Sequence, residues 1–158
     1  GGLPAWIAAE LPLEAGETAR APATFTPHFD PTAVRSFDEV KAALGGTQIV
    51  DARSAGRFHG REPEPRAGLR SGHMPGAISL PFGEAIEGGR LKSATDLRAL
   101  FAARGIQPDK PVIASCGSGV SAAVIALALD VLGARDVAIY DGSWTEWGGR
   151  SDAPVVAD

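Results

Sequence analysis

The sequence predicts an α/β domain with a mainly parallel central sheet. Short apolar runs that indicate buried strands alternate along the chain with segments of helical character. The predicted strands are residues 48–51, 77–80, 111–115 and 137–140. Because helices separate strands, the connections are crossovers, which join parallel strands. Asp51 and Cys116 fall at the carboxyl ends of two of these strands, where ligands gather in such sheets.

The first helix of this domain is predicted just before the first strand. Ser36 is followed three residues later by Glu39, which is the capping-box pattern at a helix start. The helix is expected to run from there to about Leu44. The apolar run Gln48–Asp51 then forms the first strand of the predicted sheet.

A long segment without helix or strand signals follows, from residue 52 to residue 76. A segment of this length inside a compact domain is usually functional or disordered. Its arginines are Arg53, Arg57, Arg61, Arg66 and Arg70. This concentration of cations favours a functional segment that meets an anion.

A second strand and a second helix are predicted after this segment. The strand is Ala77–Leu80, and the helix is expected at Leu97–Arg104. Ser93 and Asp96 have the spacing of a cap for that helix, and Gly105 follows it, as glycines do at helix C-termini.

Cys116 is the only cysteine of the chain, and it follows the predicted strand 111–115 directly. The next residues include Gly117 and Gly119, and an Ala- and Leu-rich helix begins at Ala122. Such a loop aims backbone N–H groups and the positive end of a helix dipole at one point, which favours a thiolate. The alternative is an inert buried cysteine, but that role requires no glycines beside the sulfur. We therefore predict a reactive Cys116.

Composition excludes several classes of function. The 158 residues suffice for one domain with additional sequence, and the net charge of −4, without a Lys/Arg run, predicts no nucleic-acid partner and no anionic membrane surface. No apolar stretch approaches a membrane span, and no signal-peptide pattern is present. A lone cysteine suits a reducing compartment, so we expect a cytoplasmic protein. The three histidines lack ligand spacing, which predicts no metal.

The two ends of the chain resemble each other. Residues 1–6 and residues 142–147 both begin with Gly and have Trp in sixth position. We interpret this as the trace of two tandem copies of one domain, with residues 1–14 as the tail of the preceding copy. Residues 15–31 are rich in Ala, Pro and Thr without a period, which indicates a linker. The catalytic domain is then expected over residues 32–158.

Several motifs, in this order, resemble those of the rhodanese-like sulfurtransferases. They are Val50-Asp51-Ala52-Arg53, Gly72-His73-Met74-Pro75-Gly76-Ala77, the loop that starts at Cys116, and Tyr140-Asp141-Gly142-Ser143-Trp144. The resemblance implies a rhodanese-like domain with helices on both faces of the sheet. It also implies that the chain is the catalytic C-terminal half of a two-domain sulfurtransferase, preceded by another rhodanese-like domain.

The resemblance also implies roles for individual residues. The loop Cys116-Gly117-Ser118-Gly119-Val120 is similar to that of mercaptopyruvate sulfurtransferases, whereas thiosulfate-preferring relatives typically carry Arg and Lys directly after the cysteine. Arg57, in Gly-Arg-Phe, and Arg66, in Glu-Pro-Arg, match the family's substrate-binding arginines, and a guanidinium fork suits a carboxylate. The hydroxyl of Ser118 would assist proton movement or hold a substrate oxygen. The remaining expected contributors are the loop amides of Gly117, Gly119, Val120 and Ser121, with Asp51 and Arg53 in support.

The implied reaction is covalent sulfur transfer without a cofactor. The Cys116 thiolate attacks the sulfur of 3-mercaptopyruvate, pyruvate leaves as its enolate, and a cysteine persulfide remains. A thiol or cyanide then takes the outer sulfur. The acceptor must come from outside this chain, which has no second cysteine, and the family's acceptors are thioredoxin-like proteins or small thiols. Thiosulfate is the alternative donor.

Three other functions fit the sequence less well than sulfur transfer does. Residues 117–122 fit the G-x-G-x-x-G/A dinucleotide fingerprint, with Asp141 near the place of the ribose-binding acid, but too few residues follow for further βαβ units. Non-catalytic rhodanese-like binding domains tend to lose the cysteine, which is retained here. Related phosphatases use Cys-x5-Arg, and Ala122 stands where that arginine would be.

Two kinds of residue are expected to be structural. Trp144 and Trp147 are predicted to pack in the core or at a domain contact. His73 lies in a Gly-His-x-Pro-Gly run and is expected to hold the turn that leads into the strand at Ala77. Asp51 is expected to accept hydrogen bonds from loop backbone or from a nearby arginine.

Overall fold

The computed structural model describes residues 1–157, and a five-stranded sheet lies at its centre. In chain order the strands of this sheet are β1 (Val34–Arg35), β2 (Gln48–Asp51), β3 (Ile78–Ser79), β6 (Val112–Ser115) and β7 (Val137–Tyr140). They lie side by side in the order β1-β7-β6-β2-β3, and every neighbouring pair is parallel. A separate antiparallel hairpin joins β4 (Ile86–Glu87) to β5 (Arg90–Leu91). The predicted parallel α/β fold is confirmed.

Helices cover both faces of the sheet. In chain order the helices are α1 (Gly2–Ala8), α2 (Phe37–Ala43), α3 (Ala55–Phe58), α4 (Ala94–Ala103), α5 (Ala122–Val131) and α6 (Ser143–Trp147), with short 3-10 turns at Pro31–Ala33 and Phe82–Ala85, and α1 buries no residue. Alternate residues of β2 and β6 point to opposite faces, because side chains alternate along a strand. Apart from the half-buried Gln48, the residues of both strands are buried, which explains why the central residues of each strand are apolar on both faces.

Two apolar clusters result from this alternation. On one face, Val50 and Ala114 pack with Leu97 of α4 and Ile125 of α5. On the other face, Ile49 and Ile113 pack with a cluster that draws on α2 and α6, whose members include Phe37, Val40, Tyr140, Trp144 and Trp147. Both tryptophans are completely buried, so their predicted place in the core is confirmed.

The capping box at α2 is present as predicted. The Ser36 hydroxyl accepts from the Glu39 amide, and the Ser36 amide donates to Glu39 Oε2 at 2.8 Å. This backbone hydrogen bond, with a second from the Ser36 hydroxyl, lowers the pKa of Glu39. Because that pKa is depressed in the folded state, the carboxylate's contribution to stability is present at neutral pH. It is lost as the pH falls through the folded-state pKa.

Removal of this cap is expected to destabilise the chain modestly. Ser36→Ala leaves the backbone amide of Glu39 without its side-chain acceptor. We therefore expect the free energy of unfolding to fall by about 1 kcal/mol. Urea denaturation followed by circular dichroism measures the change. Ser71→Ala, at an exposed loop serine, is the matched control and should change the unfolding free energy by less than about 0.5 kcal/mol. Equal effects of the two substitutions would contradict the assignment of the cap.

The structure differs from the sequence prediction at short elements. Helix α4 starts at Ala94, three residues earlier than expected, because the Ser93 hydroxyl caps it by accepting from the Asp96 amide. Strand β1, the hairpin β4–β5 and helix α6 were not predicted, nor was helix α3, which lies in the segment 52–76 where no helix was expected. Each has five residues or fewer, which is too short for a recognisable period.

The two similar ends of the chain also share local geometry. Gly2 and Ser143 both have positive φ, at 58° and 47°, and each precedes or opens a short helix. Trp6 Nε1 donates to the carbonyl of Pro12 at 2.8 Å, and Trp147 Nε1 donates to the carbonyl of Pro154 at 2.8 Å. Residues 15–31 contain no helix or strand before the turn at residue 31. The division into tail, linker and domain stays a prediction.

Candidate active site at the carboxyl edge of the sheet

A cavity of about 390 Å³ opens at the carboxyl ends of β2 and β6. The residues that line it are Ala52, Arg53, Ser54, Arg57, Glu64, Pro65, Arg66, Leu69, Phe82, Cys116, Gly117, Ser118, Ser121 and Thr145. The structure thus brings most of the predicted site residues together around one space. Asp51, Gly119 and Val120 are not part of the lining.

Cys116 lies at the floor of this cavity. It lines the space although only 1% of its surface is exposed, so a donor has to enter the cavity to reach it. Its backbone is held on both sides: the amide donates to Ser143 Oγ at 3.1 Å, and the carbonyl accepts from the Trp144 amide at 2.9 Å. The position of the cysteine is therefore set by helix α6 as well as by strand β6.

Ser143 holds the cysteine loop through hydrogen bonds to its backbone, a role that was not predicted from the sequence. It is completely buried, and its Oγ accepts from the amides of both Cys116 and Gly119 while it donates to the Tyr140 carbonyl at 2.7 Å. Its φ of 47° is uncommon for a residue with a side chain. Three hydrogen bonds to a single hydroxyl hold this conformation in place.

The loop amides differ in their availability. Within the described residues 1–157, the amides of Gly117, Ser118, Val120 and Ser121 have no protein acceptor and can serve an anion. For the amide of Gly119 the expectation is wrong, because that N–H donates to Ser143 Oγ at 3.1 Å. The side chain of Val120 is 76% exposed, so only its backbone can contribute to the site.

Gly119 has a structural role instead. Its φ is 81°, and a Cβ at this position would lie 2.9 Å from Asp141 Oδ1 and 3.0 Å from the Asp141 carbonyl oxygen. Only glycine combines this backbone conformation with so close an approach. Asp141, which the dinucleotide interpretation treated as a ribose ligand, thus lies against the back of the loop.

Arg57 lies over the cysteine loop from α3. Its Nη2 is 2.5 Å from Glu64 Oε2, and its Nε donates to the same carboxylate. A Cβ added at Gly117 would lie 3.1 Å from Arg57 Nη2, so the guanidinium occupies the space beside the cysteine that a side chain at 117 would need. The absence of a side chain at Gly117 is what admits Arg57 there.

Asp51 and Arg53 form a buried support beneath Arg57. Arg53 is 2% exposed and donates through Nε and Nη2 to Asp51, with Nη2 at 2.6 Å from Oδ2. Its Nη1 donates to Glu64 Oε1 at 2.7 Å, and its guanidinium lies 4.0 Å from the centre of the Trp144 ring. Glu64 therefore bridges Arg53 and Arg57, and the two arginines are rigidly linked.

Arg66 differs from the other two arginines because no carboxylate compensates its charge. In the part of the chain that the structure describes, Arg66 has no ion pair, and its Nη1 donates to Thr145 Oγ1. Asp51 and Glu64 offset the charges of Arg53 and Arg57. Among these five side chains, the charge of Arg66 is thus the one left uncompensated, and Ser118, which is exposed at the rim of the cavity, adds a hydroxyl.

Three residues of the site were not predicted from the sequence to belong to it. Glu64 contacts Arg57, and Ser143 and Thr145 contact the cysteine loop. Glu64 stands two residues before Arg66 in a motif that was recognised, which is the signal that could have identified it. Ser143 lies in the recognised motif Tyr140–Trp144, so the same kind of signal was present for it. Thr145 lies outside the recognised motifs, and its contact with Gly117 spans 28 residues of sequence.

Residues 1–157 contain neither a metal-binding cluster nor a membrane-spanning helix. Within residues 1–157, no group of three or more His, Cys, Asp and Glu side chains is close enough to hold a metal ion. No helix in that range is both long and apolar enough to cross a membrane. His73 is buried, stacks on Phe58 with ring centres 3.8 Å apart, and its Nδ1 lies 2.9 Å from the Phe58 carbonyl oxygen. These contacts are those of a structural residue.

Comparisons with known proteins point to one family. The model of the rhodanese-like domain matches residues 36–150. The 3-mercaptopyruvate sulfurtransferase of Escherichia coli K12 is 46% identical over 98% of this chain and 56% of its own length. The thiosulfate sulfurtransferase of Gallus gallus is 39% identical over 93% of this chain and 51% of its own length.

A solved structure agrees with the sequence matches. The crystal structure of a 3-mercaptopyruvate sulfurtransferase from Escherichia coli superposes with a TM-score of 0.78 at 43% identity. The match covers 90% of this chain and 54% of that chain. The chain thus spans about half the length of the curated relatives that it matches.

Proposed function

Because the chain belongs to the rhodanese-like domain family, we propose that it transfers sulfur from 3-mercaptopyruvate to a thiol or cyanide through a persulfide on Cys116. One observation carries the proposal. Cys116 lies at the floor of a cavity whose walls present unpaired loop amides and the guanidinium groups of Arg57 and Arg66. A sulfur nucleophile with anion-binding groups around it is suited to attack an anionic sulfur donor.

The reaction proceeds in two displacements at sulfur. Cys116 Sγ attacks the donor sulfur, the carbon–sulfur bond breaks, and its electron pair leaves with pyruvate as the enolate. The enolate takes up a proton, with the Ser118 hydroxyl as the neighbouring group that moves it or holds the oxygen. The acceptor thiolate or cyanide then attacks the outer sulfur and restores the Cys116 thiolate. The amides of Gly117, Val120 and Ser121 stabilise the thiolate and the persulfide without moving.

The charge of the site favours mercaptopyruvate over thiosulfate. Asp51 and Glu64 compensate Arg53 and Arg57, which leaves Arg66 as the one uncompensated cation for one carboxylate, whereas thiosulfate carries two negative charges on a small ion. Residues 117–121 of the loop are uncharged, so the cations of the site come from other segments of the chain. Thiosulfate is the second candidate donor, supported by the 39% identity to a relative named for it.

Replacement of Arg57 tests the choice of donor. In the parent chain we expect a higher kcat/KM for mercaptopyruvate than for thiosulfate. Arg57→Ala removes a charge-assisted hydrogen bond and should lower kcat/KM for mercaptopyruvate by roughly 10- to 100-fold, with a smaller loss for thiosulfate. Arg61→Ala, at an exposed arginine of the same segment, is the control and should match the parent. Equal or better use of thiosulfate by the parent would overturn the donor preference but leave sulfur transfer intact.

We also propose that the chain is the catalytic half of a longer, two-domain protein. In this proposal residues 1–14 are the tail of a preceding rhodanese-like domain, residues 15–31 are the linker, and residues 32–158 are the catalytic domain. The local geometry that α1 shares with α6 supports it, as does the 46% exposure of Trp6, whose counterpart Trp147 is completely buried. The preceding domain is thus an expected partner.

The acceptor and the location follow from the chemistry. This chain has one cysteine, so the second thiol must be supplied by another molecule, for which thioredoxin-like proteins and small thiols are candidates. A lone cysteine cannot form a disulfide within this chain, which suits a reducing compartment, and we therefore expect the cytoplasm as its location. No cofactor takes part in the proposed reaction.

A further inference from the structure

We propose that Thr145 is a specificity-determining residue that positions Arg66 against the cysteine loop and thereby sets the affinity for a donor with a carboxylate. The inference rests on the proposed function, because it assigns the carboxylate of the donor to Arg66. The observation that carries it is a chain of contacts along the cavity wall. The Thr145 hydroxyl touches both the carbonyl of Gly117 and the guanidinium of Arg66.

The direction of these hydrogen bonds is fixed by the donors that are present. The Thr145 backbone amide donates to the Gly117 carbonyl at 2.9 Å, and the Thr145 hydroxyl donates to the same oxygen at 2.6 Å. A hydroxyl has one proton, so this proton is used at Gly117 and the oxygen can only accept from elsewhere. Arg66, which has donors only, supplies the hydrogen bond that Thr145 Oγ1 accepts.

The Arg66 side chain depends on the Thr145 hydroxyl for its ordering, whereas Arg53 and Arg57 are ordered by ion pairs. Arg53 and Arg57 are held by two buried carboxylates, while Arg66 lies on an exposed segment and, within residues 1–157, forms no ion pair. An arginine side chain has many rotamers, and ordering it only when the substrate arrives weakens binding. The Thr145 hydroxyl orders it in advance.

The hydrogen bond between Thr145 and Arg66 affects donor specificity because it fixes the position of Arg66 relative to Cys116. Gly117 follows Cys116 directly, so a guanidinium held to Gly117 through Thr145 has a set distance from the sulfur. A donor whose carboxylate stands several atoms from its sulfur benefits from that distance. The loss of the hydroxyl should therefore appear in KM for mercaptopyruvate rather than in kcat.

A competing account is that Thr145 only stiffens the loop through the Gly117 carbonyl. The two accounts are separated by a double-mutant cycle with Thr145→Val, Arg66→Met and the double variant, measured by steady-state kinetics with mercaptopyruvate. Valine has the shape of threonine without the hydroxyl, and it leaves the backbone hydrogen bond to Gly117 in place. A thermal melt of each variant reports whether folding is intact.

We expect Thr145→Val to raise KM roughly three- to tenfold, with kcat changed by less than about twofold, because only the ordering of Arg66 is lost. In the Arg66→Met background the same substitution should have no further effect on KM. Thr145→Ser, which retains the hydroxyl, should restore the KM that Thr145→Val loses. Thr95→Val, at an exposed threonine of α4, is the matched control and should behave like the parent.

Several results would overturn the inference. They are effects of Thr145→Val and Arg66→Met on KM that simply add, a loss confined to kcat, and no rescue by Thr145→Ser. If the parent turns over mercaptopyruvate and Thr145→Val leaves KM unchanged, this inference fails while the proposed function stands. If the parent never forms a persulfide, both fail.

Discussion

Cys116→Ser is expected to abolish sulfur transfer, with turnover lower by roughly 10⁴-fold or more for either donor, as when the nucleophile of a covalent mechanism is removed. A serine hydroxyl is neither ionised at neutral pH nor able to form a persulfide. The fold should persist, because the hydrogen bonds of the backbone at 116 to Ser143 and Trp144 involve no side-chain atom of the cysteine. Steady-state assays with mercaptopyruvate and thiosulfate measure the loss.

The matched control for this substitution is the neighbouring residue of strand β6. Ser115 is completely buried, and its Oγ has no hydrogen-bond partner within residues 1–157. Ser115→Ala therefore removes a hydroxyl one residue from the nucleophile without removing a contact, and turnover should stay within about twofold of the parent. Substantial turnover by Cys116→Ser would assign the chemistry to another group.

Arg53→Met is expected to be the most destabilising single substitution of the site, with a loss of about 3–5 kcal/mol in the free energy of unfolding. The guanidinium of Arg53 is buried between Asp51 and Glu64 and lies on the Trp144 ring. In the parent chain Arg53 Nη2 lies 2.6 Å from Asp51 Oδ2. The substitution removes this contact and leaves the Asp51 carboxylate buried without its counter-charge. Urea denaturation measures the loss. Activity should fall as well, because Glu64 then holds Arg57 less firmly.

Two further variants keep this prediction testable if Arg53→Met folds poorly. Asp51→Asn combined with Arg53→Met removes the stranded charge, so the double variant should be more stable than Arg53→Met alone. Arg61→Met, at an exposed arginine, should change the unfolding free energy by less than about 0.5 kcal/mol. A double variant less stable than Arg53→Met would contradict the account of a buried, compensated charge network.

Local signals made much of the fold predictable. The capping box at Ser36 and the apolar runs of β2, β6 and β7 depend on neighbouring residues, and these elements lie within a residue of the prediction. Strand β1 has two residues and pairs only with β7, from the far end of the chain. Nothing near it in sequence distinguishes it from a loop.

The site was predictable in its chemistry but not in its support. Cys116 could be chosen from the glycine loop between a strand and a helix, whereas Arg57 and Arg66 were chosen through the resemblance of their motifs to those of the family. The positive φ of Ser143 could not be predicted, because serine has no intrinsic preference for it and long-range hydrogen bonds maintain it. The same limitation applies to the Gly119 amide, whose direction depends on where Ser143 lies.

The central claim is that Cys116 carries a second sulfur atom between donor and acceptor. Intact-protein mass spectrometry after exposure to mercaptopyruvate, with peptide mapping, tests it most directly. We predict a protein heavier by one sulfur atom, with the added sulfur on Cys116 and its loss on addition of a thiol or cyanide. An unchanged mass with mercaptopyruvate and with thiosulfate, also when a preceding rhodanese-like domain is joined to the chain, would contradict the account.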